Sequence, residues 1–203
     1  MEHLLDGYRR YRGERWPQLR ALHQKLAQGQ RPRVLVIACC DSRVDPATIF
    51  DADPGELFVI RNVANLAPPF ELGGGYHGTS AAIEFAVTGL KVETILVLGH
   101  AQCGGVAAAL AREEGDEPST FLDHWVGLLD PAKERIAHVQ HDQQSALEYE
   151  SIKVTLENLT SFPFIAKRVA DGRLKLRGAR YGVADGLLEL YDAETDTFST
   201  LDV

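Results

Sequence analysis

The chain has 203 residues, 45% hydrophobic and 25% charged, which excludes disorder, collagen or coiled coil as the main architecture and fits one compact domain with extensions. Asp and Glu outnumber Lys and Arg by 29 to 21, a formal net charge of −8. A protein that grips nucleic acid phosphates or an anionic membrane needs the opposite balance, so neither partner is expected.

The opening residues MEHLLDGYRR lack the apolar core of a signal peptide, which argues against secretion. Residues 3 to 28 read as a helical arm, continuous or broken near Gly13 and Pro17, with Trp16, Leu19, Leu22 and Leu26 at helical spacing. Gly29 and Pro32 end it. Arg33 to Ala38 is a continuous β-branched apolar run, the pattern of a strand buried on both faces. The longest apolar stretch, Val34 to Cys40, is far short of the ~18 residues of a membrane span. Leu57–Arg61 and Thr94–Gly99 repeat the strand pattern, and Leu174–Arg180 and Leu187–Tyr191 close the series. Helical stretches lie between them at His77–Thr88, Gly104–Arg112, Ala132–His141 and Ala146–Leu159. Apolar strands alternating with helices imply an α/β fold. Its central sheet should be mostly parallel and flanked by helices, with an antiparallel edge strand near the C-terminus. In such sheets ligands bind at the carboxyl ends of strands, here just after Ala38, Arg61 and Gly99.

Chemistry-bearing residues stand at two of those ends. Cys39-Cys40-Asp41-Ser42-Arg43 follows the first strand, and His100-Ala101-Gln102-Cys103-Gly104-Gly105 follows the third. Cys39, His100 and Cys103 form a Cys2His set suited to Zn2+, and three protein ligands leave a fourth position open. The His-x-x-Cys spacing starts a helix, whose N-terminus favours a thiolate. Cys40 sits one residue off and reads as a buried, inert thiol on the other side of the strand. Asp41 and Arg43 project to the side of Cys39 if the extended backbone continues. At this point Asp41 reads either as a fourth ligand or as a carboxylate held by Arg43 away from the metal. Three cysteines are an odd, low count for a disulfide framework and fit a reducing cytoplasm.

Cys39-x-Asp41-x-Arg43 with His100-x-x-Cys103 resembles the β-class carbonic anhydrases. Arg61-Asn62-Val63-Ala64-Asn65, Gly78 to Phe85, Gly99 to Gly105, and Trp125-Val126 with Pro131-Ala132-Lys133 extend the likeness over roughly residues 20 to 191. The resemblance implies a zinc-dependent lyase, a carbonate dehydratase, that converts carbon dioxide to bicarbonate and a proton with a zinc-bound hydroxide. It implies one Zn2+ per chain on Cys39, His100 and Cys103, with Asp41 and Arg43 catalytic. Gln30, nine residues before Cys39, matches a substrate-contacting glutamine of the plant-like subtype, and Phe58 matches an apolar pocket residue. In that family these side chains come from the neighbouring subunit, so a homodimer, or a dimer of dimers forming a homotetramer, is expected. Val44, Phe58 and Phe85 would supply the apolar cavity, and the small Gly104 would let a backbone N–H approach a substrate oxygen. Val36 stands where the other subtype has a tryptophan of its bicarbonate inhibition pocket. Phe85 stands where plant-like members have a tyrosine, so any role of that hydroxyl is absent. The expected organisation is one catalytic domain over residues 1–203: an N-terminal helical dimerisation arm (1–30) and an α/β core (31–203).

Other features carry less. Gly73-x-Gly75-x-x-Gly78 has the form of a dinucleotide fingerprint, but it follows a proline-rich loop instead of a strand and reads as a loop near the site. His3, His23, His124, His138 and His141 are scattered, and only His77 is close enough in sequence to serve as a proton relay. Arg112 to Glu117 reads as a solvated loop. Two other functions fit the same motifs: hydrolysis of carbon disulfide or carbonyl sulfide at the zinc, and a non-enzymatic zinc- or thiol-regulated binding protein.

Overall fold

The computed structural model describes residues 1–73, 77–112 and 120–202. Six strands form one sheet in the order β2-β1-β3-β4-β5-β6. β1 (Val34–Cys39), β2 (Leu57–Asn62), β3 (Thr94–His100) and β4 (Lys175–Tyr181) are parallel. β5 (Leu188–Asp192) and β6 (Thr197–Thr200) add antiparallel at the edge. The α/β fold with a mostly parallel sheet is the one expected. The antiparallel edge has two strands where one was anticipated, because the short Thr197–Thr200 segment gains its stability from Phe198, packed on Tyr149 and Tyr191, more than from its own pattern.

β1 is buried over nearly its whole length, as its unbroken apolar run requires. Leu35 and Ile37 face one side of the sheet with Ile83, Ile152, Phe162 and Ile165. These come from α4 (Gly78–Glu84), α8 (Gln143–Thr160), the turn before α9 and α9 (Pro163–Ala170) itself. Val36 and Ala38 face the other side with Leu98, Ala179 and, from the short α3 (Pro46–Ile49) and the residue after it, Ile49 and Phe50. The connection from β1 leads to β2 on one side, and the chain then returns to β3 on the other. The strand order therefore reverses between β1 and β3, and a crevice opens at their carboxyl ends. Cys39 and His100 are the last residues of those two strands.

The arm is not broken. α1 (Glu2–Arg10) and α2 (Trp16–Leu26) join through a wider π-type stretch, Tyr11–Arg15, without leaving helical backbone angles. The extra residue in that turn accommodates Pro17, whose ring would otherwise meet the carbonyl of Gly13. No residue of α1 or α2 is buried. The helix expected over Ala132–His141 is shorter: α7 spans Asp130–Arg135. Asp142 takes a left-handed conformation and caps α8 by accepting from the Ser145 N–H, which turns the chain before His141 can continue a helix. α6 (Phe121–Val126) opens on a capping box of Thr120 and Asp123, and α9 starts with Pro163 in its first turn, where proline is tolerated. α5 (Gly104–Ala111) follows β3 directly. Gly75 of the glycine motif, and the Arg112–Glu117 stretch beyond Arg112, lie outside the described residues.

Candidate metal centre

Three side chains converge at the carboxyl ends of β1 and β3. The donor atoms of Cys39, His100 and Cys103 all lie within 4.8 Å of one another, and all three residues are buried. His100 ends β3, the chain turns through Gln102 in a left-handed conformation, and Cys103 becomes the N-cap of α5. The Cys103 sulfur faces the backbone N–H groups of Gly105 and Val106, the partial positive charge of a helix start. Gly105 makes this possible. A Cβ there would lie 2.5 Å from Val63 and 2.9 Å from Ala64, so only glycine lets α5 start against the turn that follows β2.

The two sulfurs are 3.9 Å apart. Tetrahedral Zn2+ with Zn–S bonds of ~2.3 Å places two thiolates about 3.8 Å apart, so the pair is already set for the ion. His100 supplies the third donor in the right tautomer. Its Nδ1 lies 2.9 Å from the Ala101 carbonyl, a contact that puts the proton on Nδ1 and leaves the Nε2 lone pair free. Nε2 is buried and has no hydrogen-bond partner among the described residues. A buried nitrogen lone pair facing two sulfurs is costly unless a cation completes it. The hydrogen bond from the Cys103 thiol pulls the Cys39 thiol well below its ordinary value, against the opposing effect of burial. In return the Cys103 thiol is pushed well up, first by that hydrogen bond and then by burial. Without a cation the pair keeps one proton; a divalent ion replaces it.

Asp41 does not join the donor set. The strand ends at Cys39 and the chain turns, so Asp41 meets Arg43 through a local turn instead of through extended alternation. Oδ1 accepts from the Arg43 backbone N–H (2.9 Å) and from Nε (3.0 Å), and Oδ2 accepts from Nη2 (2.8 Å). Arg43 Nη2 also donates to the Gln102 carbonyl at 3.1 Å, tying the first donor segment to the second. The guanidinium, and then the Arg43 N–H, hold the Asp41 carboxyl far below the usual carboxylate range. Cys40 is exposed, not buried as expected, because the turn at Asp41 lifts it out of the sheet.

Val44 is buried beside Cys39 and Cys103, and Gly104 opens α5 with clear space where a side chain would be. Gln30, Phe58 and Phe85 are elsewhere. Phe58 is in register with Leu35, four positions before the Cys39–Asn62 pair, hence ~13 Å upstream along the sheet. Its ring lies 5.8 Å from that of Phe85, which is 52% exposed, and Gln30 is exposed after α2. His77 contacts the Gly73 carbonyl and lines a groove with Asn62, Thr79, His124 and Trp125.

Three supports were given no role of their own in the sequence analysis, although Arg61 stands in a motif named there. Arg61 donates to the carbonyls of Cys39 (2.9 Å) and Asp41 (2.6 Å), gathering the loop that holds the site. Gln144 and Glu148 reach Cys103 from α8. Glu148 lies in a buried helical stripe with Ser151, Ile152 and Thr155, and a carboxylate in that stripe was the available clue.

The sequence pattern of one family, described as carbonic anhydrase, matches residues 34–188. The chain belongs to that family. Beta carbonic anhydrase 3 of Arabidopsis thaliana is 35% identical over 204 residues, covering 97% of this chain and 79% of the relative. The structure of the β-carbonic anhydrase CcaA superposes with a TM-score of 0.91 at 31% identity, over 100% of this chain and 92% of that one. A tetrameric β-carbonic anhydrase of Sordaria macrospora superposes at 0.80 and 29% identity, over 93% and 95%. This carbonic anhydrase is of the β class, a zinc-dependent carbonate dehydratase whose reaction is the reversible hydration of carbon dioxide.

The donor geometry makes a direct test of the metal. Metal analysis should find one zinc per chain in the parent protein, and Cys39→Ala and Cys103→Ala should each lose most of it, because soft ligands dominate the affinity. Full zinc occupancy in both variants would show that the ion is held elsewhere.

Proposed function

We propose that this carbonic anhydrase hydrates carbon dioxide at a zinc held by Cys39, His100 and Cys103, with the Asp41–Arg43 pair keeping the fourth position free. The observation that carries this reading is the fork of Arg43, which occupies Asp41 while the orphaned Nε2 of His100 and both sulfurs face one point. A zinc ion there supplies Lewis acidity that lowers the pKa of a bound water from 15.7 toward ~7.

The protein's own groups do the rest. Asp41 offers about four lone-pair sites, of which Arg43 fills three, so one site on Oδ2 is left for an O–H of the nucleophile. Its low pKa makes Asp41 a poor proton acceptor and a dependable hydrogen-bond acceptor. It therefore orients the attacking oxygen, lone pair toward the carbon, and does not serve as general base. The open space beside Gly104 gives a carbon dioxide oxygen access to a backbone N–H, and Val44 contributes an apolar wall. Phe58 lies upstream on the sheet from the Cys39 end, Phe85 packs on it, and Gln30 lies in the segment before β1, so the three are set apart from the site of their own chain and complete the pocket of a second copy. This is the plant-like arrangement. Val36 in place of a tryptophan supports it, and Phe85 performs the packing there without a hydroxyl.

Residues 1–203 act as one catalytic domain, with 1–30 as the arm that clasps the partner and 31–203 as the core. Leu4 and Tyr8 on the arm are 61% and 60% exposed, apolar surface that a second copy would cover in a dimer or in a dimer of dimers. No helix among the described residues is long and apolar enough to cross a membrane. All three cysteines are free thiols, which suits a reducing compartment such as the cytoplasm.

Two outcomes follow. The depressed Asp41 pKa means that its ionisation favours the folded state at any pH above the ordinary carboxylate value, a contribution lost only as pH falls through the lowered one. Acid should therefore not inactivate the parent enzyme through Asp41. In Arg43→Ala the carboxyl loses its partner beside two thiolates, so its pKa rises. Stopped-flow carbon dioxide hydration per zinc should then fall about 10²-fold or more near neutral pH, with an acid limb displaced upward. An unchanged rate and pH profile, with only a lower melting temperature, would make Arg43 a purely structural residue. Deleting residues 1–28 should weaken association and activity together; a fully active monomer at nanomolar concentration would contradict the shared pocket.

A further inference from the structure

Behind Cys103 lies a polar network that the reaction above does not use. Gln144 and Glu148 stand one turn apart on α8. The Cys103 N–H donates to Glu148 Oε1 at 3.1 Å. Gln144 Nε2 donates to the Cys103 carbonyl at 3.0 Å and to Glu148 Oε1 at 2.9 Å. The backbone of Cys103 is thus held at both its N–H and its carbonyl from one face of one helix. Glu148 is 1% exposed, and its other oxygen accepts from Arg180 Nε (3.2 Å) and Nη2 (2.9 Å). Arg180 stacks over Tyr149 at 4.6 Å, reaches Glu189 at 3.0 Å, and is in register with Gly99, the residue before His100. The pair therefore spans α8, β4 and the donor-bearing end of β3.

A buried ion pair of this kind is a poor device for stability alone, since well-packed apolar residues usually do as well. What it does here is local to one ligand. Together with Gln144 it fixes the peptide groups on either side of Cys103, and with them the direction in which the sulfur points. We propose that Gln144 and Glu148 are positioning residues for Cys103: they hold its N–H and its carbonyl and so aim its sulfur at the metal, with Arg180 fixing Glu148 in place. The proposal rests on Cys103 being a zinc ligand.

The test uses the zinc-loaded enzyme and its cobalt(II)-substituted form. Glu148→Gln keeps the size and an acceptor oxygen but removes the charge. Gln144→Ala removes the hold on the Cys103 carbonyl and leaves the Glu148–Arg180 pair in place. Two readouts are taken well below the melting temperature: the rate of zinc transfer to a chelator, and the thiolate-to-cobalt charge-transfer band. Each variant should release zinc about 10- to 100-fold faster than the parent, and the band should move, because outer partners of metal ligands typically act on this scale. A residue that merely anchors α8 to the sheet would change the melting temperature and move neither readout. Cys103→Ala is the control for the ligand itself; parent-like release and an unaltered band in it would sink the ligand assignment and this proposal with it. If Cys103→Ala changes both readouts while the folded variants stay within about twofold of the parent with an unmoved band, the positioning role is wrong and the zinc site stands. Should Glu148→Gln fail to fold, Gln144→Ala decides by the same two readouts.

Discussion

Two sulfurs that must both become thiolates lie 3.9 Å apart in a nearly dry interior, and the rest of the site answers their repulsion. At that distance two unit charges oppose each other by about 4 kcal/mol even at an effective dielectric of ~20. A divalent cation is the main compensation, and the backbone N–H groups of Gly105 and Val106 at the start of α5 add to it. The same economy governs two carboxylates beside the donor segments. Asp41 is engaged by Arg43 and Glu148 by Arg180, so neither adds an uncompensated negative charge to the centre. In the proposed mechanism the Asp41 pairing also keeps the fourth position free, since a carboxylate free to swing would compete for the metal.

The sheet delivers this arrangement because of where its order reverses. β1 and β3 are neighbours, their connections leave in opposite directions, and their last residues are Cys39 and His100. Close packing then fixes the third donor. Gly105 lets α5 start against Val63 and Ala64, and Arg61 ties down the carbonyls of Cys39 and Asp41. A centre built from strand ends needs few residues to define it and many to hold it still.

This division explains what could be read from the sequence. β1 and β3 were legible because strands buried on both faces leave unbroken apolar runs, and the donors directly follow those runs. The π-type turn at Gly13–Pro17 was not legible, since the same residues also signal a helix break. β6 was missed because a four-residue edge strand depends on aromatic partners far away in the chain. Glu148 was hidden for a related reason. A glutamate in a charged amphipathic helix looks solvated until the helix is docked, and only the fold places it beneath Cys103. The turn that exposes Cys40 and pairs Asp41 with Arg43 replaced an assumed continuation of the strand. Gln30, Phe58 and Phe85 were picked out by resemblance, and a single chain leaves them away from the metal-binding residues.

The account turns on which groups touch the metal, and a crystal structure of the zinc-loaded protein grown at about pH 8 measures that directly. It should show one zinc at about 2.3 Å from the sulfurs of Cys39 and Cys103 and about 2.0–2.1 Å from His100 Nε2, with Asp41 still bound to Arg43. An Asp41 oxygen on the zinc at about 2.0–2.2 Å, or a zinc bound away from these three donors, would contradict it.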